Sequence, residues 1–357
     1  MSEVTNPNIS FWNGKRVLIT GHTGFKGGWL SLWLQKMGAN LSGLALEPPT
    51  SPSLFNVANV KGGMEHQIVD IRDYNALNRY IAKFNPEIIF HMAAQPLVRY
   101  SYKNPIETYA TNVMGTVHVL EAARKSGSVK AIVNVTTDKC YENNEWHWGY
   151  RENERMGGDD PYASSKGCVE LLSNAYQRSF FEYENIAMAT ARAGNVIGGG
   201  DWAKDRLVPD ILNSIEKNKS ILIRNPKSIR PWQHVLECLS GYLILAENLF
   251  NHKQAYSEGW NFGPNDQDAK PVCWIADKLI ELCDSNIFWE LDKKHQLHEA
   301  SFLKLDNSKS LHRLNWRPRL TLEEALFFIV DWHDSWQSNV DMKLKCFNQI
   351  DNFNKIS

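Results

Sequence analysis

The stretch RVLITGHTGFKG, residues 16–27, begins as an apolar β-branched run and continues into a loop with Gly21, Gly24 and Gly27. Glycines at these positions permit a sharp turn after a strand, close approach of backbone to a phosphate, and tight packing of the next helix. An amphipathic segment from about Phe25 to Met37 follows and predicts that helix. A glycine triplet also occurs in ordinary tight turns, so only its place between a strand and a helix gives it weight. The stretch therefore predicts a dinucleotide-binding unit near the start of the chain.

Working outward, short β-branched runs alternate with longer amphipathic runs through the first 194 residues. This alternation predicts an α/β fold, a Rossmann-type doubly wound parallel sheet with helices on both faces. Ligands of such sheets bind beyond the carboxyl ends of the strands, so the chemistry is expected in the loops there. The expected strands are Arg16–Thr20, Leu41–Ala45, Gln67–Val69, Glu87–Met92, Ala131–Val135 and Ile186–Ala191.

After about Gly194 the alternation weakens, and proline, glycine, asparagine and tryptophan become frequent between the helical segments. We expect a smaller mixed C-terminal lobe that binds substrate. The expected division is a dinucleotide-binding domain with the catalytic residues over residues 1–194, and a second lobe, partly interleaved with it, over residues 195–357.

Composition excludes several classes of protein. The 357 residues include 39 Lys and Arg against 40 Asp and Glu, a net charge of −1, which gives no support to nucleic-acid binding. No apolar run approaches the roughly 20 residues that span a bilayer, and the N-terminus does not resemble a secretory signal. The six cysteines form no Cys-x-x-Cys pair, so we expect reduced thiols, a cytoplasmic protein and no metal site.

A second motif lies at the start of another predicted helix. Asp160 and Pro161 suit the cap and first position of that helix, and Tyr162 and Lys166 then share one face. An ammonium group beside a phenol is expected to lower the pKa of the tyrosine, which could then take a proton from a sugar hydroxyl. The pattern Tyr-x-x-x-Lys is common by chance. Chance explains it poorly in a chain that also has a dinucleotide loop upstream.

These motifs resemble the short-chain dehydrogenase/reductase superfamily in its extended form, which modifies nucleotide sugars. The G-x-x-G-x-x-G spacing, the segment HMAAQ after the fourth strand and NVMGT in the next helix are typical of it. The resemblance implies a bound dinucleotide and a homodimer formed through the helices Thr108–Lys125 and Pro161–Phe180. The cofactor-binding residues that it implies are Gly21, Thr23, Gly24, Phe25, Gly27, Asp70, Ile71, Ala93, Ala94, Gln95, Asn112, Tyr162 and Lys166.

The cofactor is expected to be NAD. A 2′-phosphate needs a basic side chain near the end of the second strand, and the sequence has none from Leu44 to Val60. Glu47 lies slightly beyond the usual position of a carboxylate that binds the ribose. Two interpretations of Glu47, a ribose ligand or an exposed loop residue, stay open.

Thr137, Asp138 and Lys139 follow the fifth strand and narrow the resemblance to the nucleotide-sugar 4,6-dehydratases. Relatives that act on thymidine- and guanosine-linked sugars have Asp-Glu after the hydroxyl, and Asp-Lys is typical of the CDP-glucose branch. The implied substrate is CDP-D-glucose, which a lyase of this kind converts to CDP-4-keto-6-deoxy-D-glucose, a precursor for dideoxyhexoses of bacterial surface polysaccharide. Tyr162, Lys166 and Thr137 would oxidise C4.

The roles of the charged pair follow from the same resemblance. Asp138 would act as the acid at the C6 hydroxyl. Lys139 would act as the base at C5, which requires its neutral form. Alternatively, Lys139 stays charged and stabilises the enolate while another group is the base.

Several side chains are candidates for binding the nucleotide sugar. Guanidinium groups fit phosphate oxygens, and indole rings stack on bases or sugars. Each also has an ordinary interpretation as a surface ion pair, a turn residue or a packing residue. These candidates are Arg99, Asn195, Trp202, Arg206, Arg230 and Trp232.

Two other functions share these motifs. A nucleotide-sugar 4-epimerase or reductase uses the glycine loop and Tyr-x-x-x-Lys but needs no acid–base pair after Thr137. A non-catalytic NAD-binding protein needs none of the three side chains Thr137, Tyr162 and Lys166.

Overall fold

A computed structural model of the chain describes residues 5–293 and 302–356. Within these ranges the strands are β1 Arg16–Thr20, β2 Asn40–Ala45, β3 Glu65–Ile68, β4 Ile88–His91, β5 Ala131–Val135, β6 Ala187–Ala193, β7 Asn195–Ile197, β8 Ile221–Ile223, β9 Ile229–His234, β10 Gly259–Phe262, β11 Ala269–Pro271 and β12 Trp289–Leu291.

The main sheet has seven parallel strands in the order β10-β6-β5-β4-β1-β2-β3. The order reverses between β1 and β4, which creates a crevice beyond their carboxyl ends where doubly wound sheets bind ligands. The predicted Rossmann-type fold is confirmed, with all six expected strands shifted by at most two residues at each end. The seventh strand, β10, was not predicted, because its four residues GWNF show no alternation and pair with β6 only in the folded chain.

The α-helices are α1 Ile9–Trp12, α2 Phe25–Lys36, α3 Leu54–Val57, α4 Tyr74–Phe84, α5 Val98–Lys103, α6 Pro105–Tyr109, α7 Gly115–Ser126, α8 Pro161–Tyr176, α9 Glu182–Glu184, α10 Leu207–Glu216, α11 Val235–His252, α12 Val272–Leu282, α13 Ser308–Leu314, α14 Leu322–Gln337 and α15 Met342–Lys355. Single π-helical turns join α6 to α7 and α8 to α9.

Helices cover both faces of the main sheet. One face packs on α2, α11 and α15, where most of the fully buried tryptophans lie, and the other packs on α4 and α7. The buried indoles are hydrophobic core, which accounts for much of the tryptophan content. They are Trp12, Trp29, Trp33, Trp260, Trp316 and Trp332.

A smaller lobe covers the carboxyl edge of the sheet. It contains a three-stranded sheet of β11, β9 and β7 and a parallel pair of β12 and β8, packed on α10, α12 and α14. Since β7 begins two residues after β6 ends, the lobe starts directly at the carboxyl edge of the main sheet. Residues beyond 194 also return to the main sheet as β10 and α11.

The described helices include none that combines the length and apolarity needed to cross a bilayer. All six cysteines are free thiols.

Candidate active site

A cavity of about 1020 Å³ lies between the carboxyl edge of the main sheet and the smaller lobe. Its wall contains nearly every side chain that the sequence singled out. From the sheet side these are Gly21, Thr23, Gly24, Phe25, Gly27, Asp70, Ile71, Ala93, Ala94, Gln95, Arg99, Thr137, Asp138, Lys139, Tyr162 and Lys166, and from the lobe Asn195, Trp202, Arg206, Arg230 and Trp232.

The glycine loop packs so closely against neighbouring backbone that two of its positions have no room for a side chain. Gly21 has a φ of +81°, and a Cβ there would lie 2.8 Å from the backbone nitrogen of Ala93. A Cβ on Gly27 would lie 2.2 Å from the carbonyl oxygen of Gly21. Helix α2 begins at Phe25; its N-cap residue Gly24 offers no side-chain hydrogen bond, and its first turn has no acidic residue. The open N–H groups and the positive end of the helix dipole therefore fit an anionic pyrophosphate.

Asp70 lies two residues after β3 and also lines the cavity, where Arg72 holds its carboxylate. The Arg72 guanidinium donates hydrogen bonds of 2.6–3.1 Å to both carboxylate oxygens, and these bonds hold the pKa of Asp70 below its usual value. Glu47 also lines the cavity and is exposed, so both interpretations of it stay open.

Asn112 does not line the cavity, unlike the other expected cofactor residues. It is buried one layer behind, where its Oδ1 accepts from the Gln95 backbone N–H at 2.8 Å. Its Nδ2 donates to the Gln95 carbonyl at 3.1 Å and to Ser165 Oγ at 2.9 Å. Asn112 therefore joins the cofactor wall to α8 and does not contact the cavity itself.

Tyr162 and Lys166 are both buried, on the cavity face of α8. Burial raises the pKa of Tyr162 to about 12, and contact with the Thr137 hydroxyl only partly opposes this. The pKa of Tyr162 is thus raised in this arrangement, whereas the sequence predicts a lowered one beside Lys166. Lys166 Nζ donates instead to the Val135 carbonyl at 3.1 Å, and burial, followed by the charge of Lys26, lowers its own pKa to about 8.

The acid–base candidates contact each other. Asp138 is completely buried in a 3₁₀ turn after β5, and its Oδ1 accepts from Thr137 Oγ1 at 3.0 Å and from Lys139 Nζ at 3.2 Å. Lys139 Nζ also donates to Asn195 Oδ1 at 3.4 Å. Asp138 Oδ2 is buried with no hydrogen-bond partner among the described residues. The cavity thus places a hydroxyl, a carboxyl group and an amine side by side.

A buried ion pair that the sequence analysis missed supports these groups. Glu170 continues the Tyr162–Lys166 face of α8 by one more turn and forms a 2.7 Å ion pair with Arg192 of β6. Its two oxygens also accept from Thr136 at 2.5 Å and from Thr190 at 2.7 Å. The pair therefore joins α8 to β6, and the bond from Thr136 joins Glu170 to the end of β5, next to Thr137. The position of Glu170, four residues after Lys166, was the available signal. Its partner Arg192 lies on β6, which this spacing does not reveal.

Carboxylates of the lobe pair with arginines. Arg206 contacts Asp201 at 2.7 Å, and Arg99 from the sheet side contacts Asp205 at 3.4 Å. Arg224, which the sequence analysis missed, lies 4.0 Å from the same Asp205. These partly exposed guanidinium groups surround space that an anionic ligand could enter.

The remaining candidates on the lobe side are more buried. Arg230 donates to the Ile229 carbonyl at 3.2 Å. Trp232 is buried, and its indole N–H has no partner within the described ranges. Trp202 makes edge contacts with Trp332 and Trp336, so it combines packing with a place on the cavity wall. In the described part of the chain no cluster of three or more His, Cys, Asp and Glu side chains could hold a metal.

Comparison with known families identifies the chain. The family model described as GDP-mannose 4,6 dehydratase matches residues 18–327. This chain belongs to the GDP-mannose 4,6 dehydratase family. The membership confirms the expected class of enzyme, a hydro-lyase that acts on nucleotide sugars.

One relative is highly similar to this chain. CDP-glucose 4,6-dehydratase of Salmonella typhimurium is 57% identical to it over 349 residues, which cover 96% of this chain and 97% of that protein. CDP-paratose 2-epimerase of Salmonella typhi is 24% identical, covering 90% and 99%. The first of these confirms the resemblance expected from Asp138 and Lys139.

Solved structures share the fold of this chain. UDP-glucose 4-epimerase of Thermotoga maritima, solved with UDP-glucose, matches with a TM-score of 0.78 and 21% identity, covering 90% and 99% of the two chains. dTDP-glucose 4,6-dehydratase of Bacillus anthracis, in complex with NAD, matches with a TM-score of 0.74 and 20% identity, covering 92% and 100%.

Proposed function

We propose that this enzyme dehydrates CDP-D-glucose to CDP-4-keto-6-deoxy-D-glucose with NAD as a recycled cofactor. The observation that carries the proposal is the Thr137–Asp138–Lys139 turn beside Tyr162 on one wall of the cavity. A 4-epimerase needs no such acid–base pair. The relative named CDP-glucose 4,6-dehydratase, at 57% identity, supports cytidine as the base of the nucleotide, since the dTDP-glucose enzymes are only 24–25% identical.

The dinucleotide would lie along the glycine loop. Gly21, Gly24 and Gly27 allow the tight turn into α2, whose first N–H groups would bind its pyrophosphate, and Asp70 can accept from its adenine amino group. The absence of a basic residue from Leu44 to Val60 favours NAD over NADP. When bound, NAD accepts a hydride from C4 of the sugar and later returns it to C6. Residues 1–194 would supply the cofactor half of the site, and residues 195–357 would supply most of the nucleotide-sugar half.

In the first stage, Tyr162 takes the proton of the C4 hydroxyl, which Thr137 orients. The high pKa of the buried phenol would fall when a positively charged nicotinamide lies beside it, because opposite charge favours phenolate. Lys166 contributes in the same direction when its ammonium turns from the Val135 carbonyl towards the phenol. The C4 ketone then makes the C5 proton acidic.

In the second stage, Asp138 and Lys139 remove water. Lys139 Nζ lies 3.2 Å from Asp138 Oδ1, so transfer of one proton from the ammonium to the carboxylate would give a neutral amine and a neutral carboxylic acid at once. Lys139 then takes the C5 proton while Asp138 protonates the C6 hydroxyl, so that the C6–O bond breaks and water leaves. Reprotonation of C5 completes the reaction after hydride has returned to C6.

The role of Lys139 as the base has a direct test. With substrate deuterated at C5, we expect the Lys139→Met variant to lose wash-out of deuterium into solvent, while reversible oxidation at C4 continues. Undiminished wash-out would assign the base to another group and leave Lys139 as a cation that stabilises the enolate.

The diphosphate would be bound by Arg206 and Arg230, with Arg99 nearby. Asn195, which touches Lys139, would orient the sugar. Trp202 and Trp232 offer ring faces or edges to the nucleoside.

A homodimer is part of the proposal. Helices α6–α7 and α8 expose large apolar side chains that a soluble monomer rarely presents together. Ile106 is 85% exposed and Leu171 64%, with Met114 and Phe180 also exposed. Sedimentation of the purified chain measures this state directly. The cytoplasmic location stays a prediction.

The function is tested with a panel of CDP-, dTDP-, GDP- and UDP-glucose. We expect CDP-glucose to give a 4-keto-6-deoxy product, measured by its absorbance in alkali, at the highest kcat/KM. An epimerised sugar with no such absorbance would favour a 4-epimerase. Absence of turnover together with NAD binding would favour a non-catalytic protein.

A further inference from the structure

His91 is a buried titratable residue that the reaction described above does not use. It ends β4, is the first residue of the HMAAQ segment and is 2% exposed. The next residue, Met92, lines the cavity, so the His91 ring lies one layer behind the cofactor wall. In the main sheet His91 pairs with Thr20, the last residue of β1 before the glycine loop. The ring is therefore placed between the two segments that a dinucleotide would contact.

Both ring nitrogens of His91 are hydrogen-bonded. Nδ1 lies 2.7 Å from Thr20 Oγ1, and Nε2 lies 2.9 Å from Thr116 Oγ1 in the first turn of α7. The Thr116 hydroxyl donates its own proton to the Asn112 carbonyl at 2.6 Å, so it must accept from Nε2–H. Nδ1 is then the acceptor, and Thr20 donates to it. Burial, followed by the charge of Lys166, lowers the pKa of His91 to about 3, which keeps the ring in this neutral form.

The Thr20 end of this chain of hydrogen bonds fixes the cofactor wall. Thr20 Oγ1, whose proton goes to His91, accepts from the backbone N–H groups of Met92 and Ala93, both at 3.1 Å. Ala93 faces Gly21 so closely that a Cβ on this glycine would lie 2.8 Å from the Ala93 nitrogen. The bond between Thr20 and His91 therefore helps to set the separation of the glycine loop and the cofactor wall.

The Thr116 end reaches α8. Asn112, whose carbonyl accepts from Thr116, binds the Gln95 backbone through its side chain and donates to Ser165 Oγ at 2.9 Å. Ser165 Oγ in turn donates to the Tyr162 carbonyl at 2.7 Å. One imidazole is thus connected both to the wall beside the cofactor and to the helix that carries the tyrosine proposed to take the C4 proton.

We propose that His91 is a positioning residue for hydride transfer at C4. Its ring, protonated at Nε2 alone, holds the cofactor wall and the π-helical turn at Asn112 at the separation that transfer requires, and it touches neither cofactor nor sugar. Hydride moves directly between two carbon atoms, and a displacement of about 1 Å can slow such a step by about a hundredfold. The inference rests on the proposed function, since it concerns the C4 oxidation of that reaction.

The test replaces the ring by side chains that keep one half of its hydrogen bonding. His91→Asn puts an amide oxygen near the position of Nδ1 and can still accept from Thr20. His91→Gln puts an amide NH₂ near the position of Nε2 and can still donate to Thr116. His91→Leu keeps neither bond. Because Asn and Gln are polar replacements with one bond intact, they serve if the leucine variant does not fold.

The variants are compared with CDP-glucose and with its C4-deuterated form. We expect kcat to fall about tenfold in His91→Asn and His91→Gln and about a hundredfold in His91→Leu, with KM within about threefold of the wild type. The deuterium effect on kcat should rise in each variant, because hydride transfer becomes slower relative to water elimination. A kcat within about twofold of the wild type in all of them would overturn the inference.

The matched control is His333→Leu. His333 is also buried, at 9% exposure, and lies 2.9 Å from Glu216 between α14 and α10. This variant should lower the urea midpoint of unfolding, while the deuterium effect at C4 stays at the wild-type value. A fall in kcat for the His91 variants with the same unchanged deuterium effect would make His91 a structural residue only and overturn the inference.

The position of the proton on the His91 ring is a readout that needs no turnover. Nitrogen NMR spectra of the purified chain, with the His91 signals identified by their loss in His91→Asn, should show Nε2 protonated and Nδ1 unprotonated at neutral pH. A proton on Nδ1 would reverse the order of donors and overturn the inference.

The two proposals fail separately. If the wild type does not turn over CDP-glucose, the proposed function fails, and the protonated nitrogen of His91 can still be measured. If the wild type turns over CDP-glucose and the deuterium effect does not rise in the His91 variants, only the role of His91 fails.

Discussion

The two walls of the cavity are built differently. Behind the sheet wall, Glu170 and Arg192 are each 5% exposed, and both oxygens of the carboxylate are hydrogen-bonded. On the lobe wall, Asp205 is 50% exposed and lies 3.4 Å from Arg99, which is 35% exposed. Water screens the second pair but hardly reaches the first.

This difference separates two tasks. The sheet wall must hold Tyr162 against Thr137 and Asp138 before any ligand arrives, because catalysis depends on fixed geometry. The lobe wall must receive a diphosphate, and exposed ion pairs of small net energy can exchange their carboxylates for phosphate oxygens. The sheet wall is therefore expected to respond to substitution through rate and stability, and the lobe wall through affinity.

The largest expected effect is on rate, in Tyr162→Phe. Loss of the group that takes the C4 proton should lower kcat by about three orders of magnitude, within the range for general acid–base catalysis. NAD affinity should change little, since the ring remains. Steady-state kinetics measure kcat, and calorimetry measures the NAD affinity. A kcat within tenfold of the wild type would remove Tyr162 from proton transfer.

Glu170→Ala should affect stability next most strongly. It leaves Arg192 buried without its counter-charge, and breaking such a pair costs about 3–5 kcal/mol in the free energy of unfolding. Urea unfolding measures this value. Asp205→Ala is the matched control on the lobe wall, where the loss should stay below about 1 kcal/mol. Similar losses in both variants would contradict the contrast between the walls.

Arg206→Met should raise KM for the nucleotide sugar about tenfold or more with little change in kcat, because a phosphate contact made equally in the ground and transition states is lost. Asp205→Asn removes a carboxylate that competes with phosphate for Arg99, so KM should fall by a small factor. A large fall in kcat for Arg206→Met would instead place this residue in the chemical step.

The smallest effect concerns pH. Burial alone would raise the pKa of Glu170, but the charge and hydrogen bonds of Arg192 hold it below the ordinary 4.5. A lowered folded-state pKa contributes stability above the unfolded value, and this contribution is lost as pH falls through the folded value. The stability gap between the wild type and Glu170→Gln should therefore narrow below about pH 4.5. Unfolding midpoints at pH 7, 5 and 4 measure it, and a constant gap would contradict the ion pair.

The parts of the site that depend on local spacing could be predicted from the sequence. Gly21, Gly24 and Gly27 act within one turn of chain, and Tyr162 and Lys166 lie on one helix face whatever the rest of the fold does. The six strands likewise follow from runs of apolar residues that must be buried on both faces.

Tertiary structure decided the rest, because it brings together residues far apart in the chain. The seventh strand β10, the Glu170–Arg192 pair and the place of Asn112 behind the cavity wall all depend on such contacts. The high pKa of Tyr162 depends on burial, which a motif does not reveal.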